Sequence, residues 1–300
     1  MIKVLLFGSE KYPYSIFGKV IAENDFEVVG IVTSKDSIYE MESEKSKYNE
    51  IKVFITDNIN KEGKNILEET KPDLILVCNY GQFLDKDILD YPKYKCLNIH
   101  FSLLPRLRGA CPVEAAILKD VKKTGVSIQL MEEDMDTGDL IYQEEVDISK
   151  DETSKSLLKK LQNITVKNIN RVLKRWIKKK VKPWPQKGKA TYCYRNLRSK
   201  SNARIDWSKT SDEIEREIRA FNPKPISWTY ILTNSKKLRL KIFKAEVGKK
   251  IDKEILKEEG KLYIRTKDRS IVPLIVQLEG KKKMNISNFL NGFKDKFIIK

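Results

Sequence analysis

Four short apolar runs, Ile2–Phe7, Glu27–Val32, Asp73–Cys78 and Leu97–Ile99, fall within the first hundred residues, and helical patterns lie between them. Ile16, Phe17, Val20 and Ile21 recur at near-helical spacing after the first run, and Ile59–Glu69 forms a second helical stretch before the third. Strands alternating with helices constrain the fold more than any other feature, because they predict a parallel sheet with helices on both faces. The turn after the first run reads Gly8-Ser9-Glu10, not GxGxxG, so the dinucleotide fingerprint is absent and no nicotinamide cofactor is predicted. Ligands of open α/β sheets bind outside the carboxyl ends of the strands, where Tyr80-Gly81 and Asn98-Ile99-His100 are expected to emerge.

The stretch from Cys96 to Pro112 reads CLNIHFSLLPRLRGACP and holds His100, the only histidine in the protein. Asn98 and His100 are two apart on a short apolar run, so on a strand both side chains leave the same face. The chain then turns through Ser102-Leu103-Leu104-Pro105 and a basic loop, Arg106-Leu107-Arg108-Gly109, before Pro112 offers a helix start at its first-turn position. After a second apolar run, Met131–Asp139 carries a Thr-Gly-Asp turn signal, which can deliver Asp136 from another strand end. A lone histidine among apolar residues equally suits a satisfied core position, and spacing alone leaves both readings open.

LNIHFSLLPRLRGACP, followed by TGVSIQLMEEDMDTGDLI, resembles the signature of the formyltetrahydrofolate-dependent formyltransferases. The resemblance implies Asn98, His100 and Asp136 as a catalytic trio and 10-formyltetrahydrofolate as formyl donor, with no metal. It also implies that Tyr80, Gly81, Ser102, Leu103, Leu104, Pro105, Met131, Asp134 and Thr137 surround the pterin and formyl group. Arg106, Arg108 and Gly109 lie beside that pocket as candidate substrate-binding residues, the two arginines facing either a substrate phosphate or solvent. Formyl transfer to an amine needs a neutral nucleophile, a stabilised oxyanion and a route for the proton. An asparagine amide, an imidazole that titrates near neutral pH and a carboxylate can supply the last two.

The chain is 40% hydrophobic and 34% charged, a globular composition, and no apolar run reaches membrane-spanning length. Met1–Gly8 is too quickly broken for a signal peptide, which makes the expected location cytoplasmic. Cys78, Cys96, Cys111 and Cys193 lack CxxC spacing and, with one histidine, offer no zinc set. Charge is unevenly spread: residues 1–150 hold 19 Lys and Arg against 27 Asp and Glu, net −8, whereas residues 151–300 hold 40 against 15, net +25. A basic half beside an acidic half suggests a polyanionic partner for the former, most simply nucleic acid.

Residues 152–180 have the period of a long amphipathic helix with a basic outer face, and Val181–Thr191, containing Pro183, Pro185 and Gly188, has linker composition. The expected domains are therefore a Rossmann-like α/β catalytic domain at 1–185, a linker at 186–204 and a small OB-like β-barrel at 205–300. In the last of these, Ser211 or Asp212 can cap a helix reaching Phe221, and Ser227–Leu232, Leu238–Phe243, Leu262–Thr266 and Ile271–Leu278 read as strands. ARIDWSKTSDEIEREIRAFNPKP and LEGKKKMNISNFLNG resemble the C-terminal domain of methionyl-tRNA formyltransferases, which implies the α-amino group of methionyl-tRNA as acceptor. The departure is Ser34–Asn49, short and with four glutamates, where those enzymes carry a long basic loop. Sugar-amine formyltransferases often lack that loop, so an amino-sugar nucleotide is the alternative acceptor. A nucleic-acid-binding protein whose α/β half has lost its chemistry is a further alternative, opposed by the intact trio.

Overall fold

A computed structural model describes residues 1–9, 13–35, 50–234, 236–293 and 296–300, so the acidic loop beyond Lys35 lies outside the described residues. The chain divides into two compact units, one from Met1–Pro112, Lys123–Asp147 and Leu158–Cys193, the other from Val113–Lys122, Ile148–Leu157 and Tyr194–Lys300. Among the described residues no helix is long and apolar enough to cross a membrane.

Up to Cys193 the chain runs through β1 (Ile2–Gly8), α1 (Pro13–Ile21), β2 (Phe26–Thr33), β3 (Val53–Ile55), α2 (Ile59–Thr70), β4 (Leu74–Cys78), α3 (Lys86–Asp90) and β5 (Cys96–His100). It continues through β6 (Arg108–Gly109), α4 (Pro112–Leu118), β7 (Lys123–Leu130), β8 (Leu140–Asp147), α5 (Ser154–Ile177) and β9 (Tyr192–Cys193). The main sheet of the first unit has the order β3-β2-β1-β4-β5-β7-β8. β1 through β5 are parallel neighbours, and β4 is buried along its whole length, as a central strand covered on both faces must be. β7 and β8, in contrast, run antiparallel, which departs from the expected all-parallel sheet. The reason is loop length: only Met131–Asp139 separate β7 from β8, fewer than the dozen or so residues a parallel crossover requires. The strand order reverses beside β1, with β2 and β3 on one side and β4 and β5 on the other, which opens a crevice at the carboxyl ends.

The basic helix expected over 152–180 spans Ser154–Ile177, and its apolar stripe buries Leu161, Ile169, Val172 and Leu173. All four cysteines are free and buried, and burial pushes the Cys78 and Cys96 thiols up.

The second unit contains α6 (Ser211–Ala220), β10 (Trp228–Leu232), β11 (Lys237–Gly248), β12 (Ile255–Glu258), β13 (Lys261–Arg265), β14 (Ser270–Leu278), β15 (Met284–Asn285), α7 (Ile286–Gly292) and β16 (Ile298–Ile299). Its strands form a nearly closed antiparallel barrel in the order β12-β13-β14-β11-β10-β16, with β15 on β14, an arrangement consistent with an OB-like fold. Register shifts between Ile242 and Ala245 let the twelve-residue β11 bend around the core of Ile231, Leu240, Ile242, Leu262, Ile264, Ile271 and Val276. Two elements escaped the strand and helix patterns: β12, whose alternation is masked by charge, and α7, which Asn285 caps.

The cap of α6 is Thr210, one residue before the predicted Ser211 or Asp212, and Glu213 completes a capping box. Ser211 instead points its backbone N–H at Asp268, 2.8 Å away, and that hydrogen bond is the main reason the Asp268 carboxyl is held down to about 2. A depressed aspartate contributes stability above its ordinary value near 3.8 and loses it as the pH falls toward about 2. Asp268→Asn is therefore expected to lower stability at neutral pH, and the difference from the parent should shrink between pH 4 and pH 2 in a melting series. The Asp268 side chain is 37% exposed, so solvent screening limits the effect to about 1 kcal/mol.

Candidate active site

Because β5 and β7 are antiparallel, Gln129 lies opposite Asn98 and Ser127 opposite His100, and facing residues in such a pair project from the same side of the sheet. The loop from β7 to β8 returns over that face and carries Asp136, whose backbone is left-handed at φ 57°, a conformation aspartate tolerates better than most residues. Four nitrogens converge on its carboxylate. Asn98 Nδ2 donates to Oδ1 at 3.0 Å and Gln129 Nε2 to the same oxygen at 2.7 Å; the Gly109 backbone N–H donates to Oδ2 at 2.7 Å. His100 Nδ1 stands 3.5 Å from Oδ2, with the histidine and aspartate side chains only 6% and 10% exposed.

The other ring nitrogen of His100, Nε2, donates to the Leu107 carbonyl at 2.9 Å, which fixes the ring plane. Leu107 itself is left-handed at φ 59° and is held by the Thr191 hydroxyl, which accepts from its N–H at 2.9 Å. With Nε2 committed to a carbonyl, Nδ1 is the nitrogen that can exchange a proton on the side of Asp136. Asn98 spends one amide hydrogen on Asp136, and the second remains for a developing oxyanion.

The remaining candidates are placed differently. Ser102 is fully buried; its hydroxyl donates to the Arg106 carbonyl at 2.6 Å and its own carbonyl accepts from Ser127 Oγ. Leu104 donates its N–H to Ser127 Oγ, Gln143 donates to the Leu104 carbonyl, and the Pro105 carbonyl accepts from Thr191, so the Ser102–Pro105 turn is held from within, with Leu103 half-buried. Tyr80 stacks edge-on against Phe7 at 5.1 Å beyond β4, Gly81 beside it is exposed, and Met131 packs on the same apolar cluster as Tyr80. The Tyr80 hydroxyl is buried without a hydrogen-bond partner, and burial, with Glu62 and Asp57 nearby, pushes its titration up. Thr137 donates to Glu132 and to the Asp134 carbonyl on the outer side of the loop, where Asp134 is exposed. The Arg106 side chain is exposed, whereas Arg108 is fixed: its Nε and Nη2 donate to Gln186 Oε1 at 3.2 and 2.8 Å, and Nη1 to the Tyr192 hydroxyl at 3.4 Å.

Gln186 and Gln129 were not among the sequence candidates. Gln186 Nε2 donates to the Asp136 and Gly138 carbonyls at 2.9 and 2.8 Å, so one side chain ties Arg108 to the loop that carries Asp136. It lies at the start of the stretch expected as a linker. There Trp184 also bridges to Leu140, and Tyr192–Cys193 pair in parallel with Arg108–Gly109, which anchors the chain up to Cys193 in the first unit.

Residues 2–173 match the family described as formyl transferase, and residues 198–294 match the formyl transferase C-terminal domain. The chain belongs to the formyl transferase family. It is 32% identical over 306 residues to a methionyl-tRNA formyltransferase of Methylacidiphilum infernorum, covering 97% of this chain and 95% of the relative. It is likewise 32% identical over 314 residues to a methionyl-tRNA formyltransferase of Bacillus cereus, covering 98% and 96%. Among solved structures, a 4-N formyltransferase from Francisella tularensis superimposes with a TM-score of 0.66 at 25% identity, over 79% of this chain and 95% of that one. HypX from Aquifex aeolicus, in complex with tetrahydrofolic acid, shares the fold with a TM-score of 0.64 at 17% identity; the chain covers 46% of the HypX length.

Proposed function

We propose that this protein transfers a formyl group from 10-formyltetrahydrofolate to the α-amino group of methionyl-tRNA. The observation that carries the reading is the convergence of Asn98, His100 and Gly109 on Asp136 in a chain similar, along 97% of its length, to a methionyl-tRNA formyltransferase. The folded donor has a place to go: Tyr80 holds a buried hydroxyl without a partner near the carboxyl end of β4, an unmet hydrogen bond that a pterin can satisfy. Asn98 donates its second amide hydrogen to the carbonyl oxygen of the formyl group as the amine nitrogen bonds to the formyl carbon. Asp136, alone or through His100, takes the proton released by that nitrogen, and His100 returns a proton to the folate nitrogen as the carbon–nitrogen bond to the donor breaks. The products are a formamide and tetrahydrofolate, with no covalent enzyme intermediate.

The basic residues 151–300, net +25, supply countercharge for a tRNA backbone. Affinity for methionyl-tRNA is accordingly expected to fall steeply with salt, as each neutralised phosphate releases counterion. The acceptor is tested by comparing formyl transfer to methionyl-tRNA and to amino-sugar nucleotides at equal concentration. Transfer to the sugar and none to tRNA would replace the reading with the alternative acceptor. For the donor, calorimetry should register binding of tetrahydrofolate or a formyl-folate analogue and none of NAD; the reverse result would remove the folate assignment.

A further inference from the structure

Strand β10 has the burial rhythm in which Thr229 and Ile231 face the barrel core while Trp228, Tyr230 and Leu232 face outward. Across the ladder, Trp228 pairs with Lys241, Tyr230 with Arg239 and Leu232 with Lys237, so the outer face alternates rings with cations. The two rings meet edge to face at 5.0 Å. Arg204 lies 5.9 Å from the Trp228 ring centre and 5.5 Å from that of Tyr230, Arg239 sits 4.6 Å over Trp228, and Lys237 sits 4.1 Å over Tyr230. Glu279 approaches the same edge but spends a carboxylate oxygen on the backbone N–H of Arg239. Among the described residues none of Arg204, Lys237, Arg239 and Lys241 forms an ion pair, and Arg239 Nε is buried without a partner.

A face built only to hold the barrel together would place carboxylates opposite its cations, because crowded like charges on neighbouring strands repel. Here four cations surround two half-exposed rings on a rigid ladder, and cation–π contact alone contributes little at exposed sites. Rings that accept any base, edged by cations that accept the phosphates, are what binding of unpaired nucleotides requires. We propose that the outer face of β10 and β11, with Trp228 and Tyr230 as stacking platforms and Arg204, Lys237, Arg239 and Lys241 as phosphate contacts, binds unpaired nucleotides of an RNA. The assignment rests on the reading above in taking that RNA to be the tRNA acceptor. It names the surface the tRNA uses and the chemistry of the contact.

The test uses the full-length protein, with unacylated tRNA and an oligouridylate as probes. Oligouridylate is expected to quench tryptophan fluorescence in the parent, and Trp228→Phe should abolish most of that quenching. Tyr230→Leu should weaken both RNAs roughly five- to tenfold. Lys237 is exposed and its neighbours owe it no hydrogen bond, so Lys237→Gln keeps the test open if Tyr230→Leu misfolds; combined with Arg204→Gln it should lower the salt slope of binding by about 1. Affinities of these variants within about twofold of the parent, with an unchanged salt slope, would overturn the proposal. A parent protein that formylates only amino-sugar nucleotides yet loses RNA binding in the variants would remove the tRNA reading and leave the surface standing. Formylation of methionyl-tRNA with indifferent variants would do the opposite.

Discussion

His100→Ala is expected to lower turnover by roughly 10²–10⁴-fold while the protein still folds, since the imidazole is the only group at Asp136 that can both take and return a proton. Its ring is held at both nitrogens, by the Leu107 carbonyl and by Asp136, so truncation removes a proton carrier whose position was already fixed. Asp136→Asn tests the partner with almost no change of shape. Each carboxylate oxygen accepts from at least one N–H: Oδ1 from Asn98 and Gln129, Oδ2 from Gly109. An amide NH₂ at either position must face a donor with a donor, an unmatched buried pairing that costs about 1–3 kcal/mol beyond the loss of the base. Asp136→Asn should therefore lose turnover comparable to His100→Ala and also melt earlier, whereas His100→Ala should lose activity with a smaller change in melting. Single-turnover rates with saturating donor, set beside melting curves, separate the two. A folded His100→Ala protein with near-normal formyl transfer would sink the proposed chemistry.

Residues close in sequence were the legible part of this site. Asn98 and His100 share a strand face because side chains alternate with period two, and both do reach the same carboxylate. Asp136 was signalled by the turn residues that follow it. The antiparallel sense of β7 and β8 was also within reach, since the length of Met131–Asp139 forbids a crossover, but the regular alternation earlier in the chain dominated the expectation. Gln186 was not readable. Its partner Arg108 is 78 positions away, and a glutamine between two prolines and a lysine has the composition of any exposed connection. Only the pairing of β6 with β9 brings it to the Asp136 loop, and a two-residue ladder leaves no periodic trace. β12 was hidden in a similar way, because its hairpin depends on left-handed Glu259 and Gly260 while the strand reads as a charged loop.

Gly109→Ala is expected to cut turnover roughly 10²-fold through geometry alone, because the glycine belongs to the support of the site and none of its atoms carries a proton in the reaction. Two separate costs meet there. Its φ of +110° is one that side-chain-bearing residues rarely adopt, and an added Cβ would lie 2.2 Å from the Cys193 carbonyl oxygen. The carbonyl belongs to β9 and is itself engaged, since it accepts from the Ala110 N–H at 3.0 Å, so relief requires β6 and β9 to part. Parting them withdraws the Gly109 N–H from Asp136 and shifts Leu107, whose carbonyl orients His100. Both proton-handling side chains then lose a fixed partner at once. Gly188→Ala provides the control, since Gly188 has nearly the same φ, +105°, with nothing within 4 Å of the position its Cβ would take. That variant bears the backbone strain without the clash and should lose about 1 kcal/mol of stability with turnover close to the parent. If Gly109→Ala matched Gly188→Ala in both melting temperature and kcat, the contact with Cys193 and the hydrogen bond to Asp136 would have no part in placing the carboxylate.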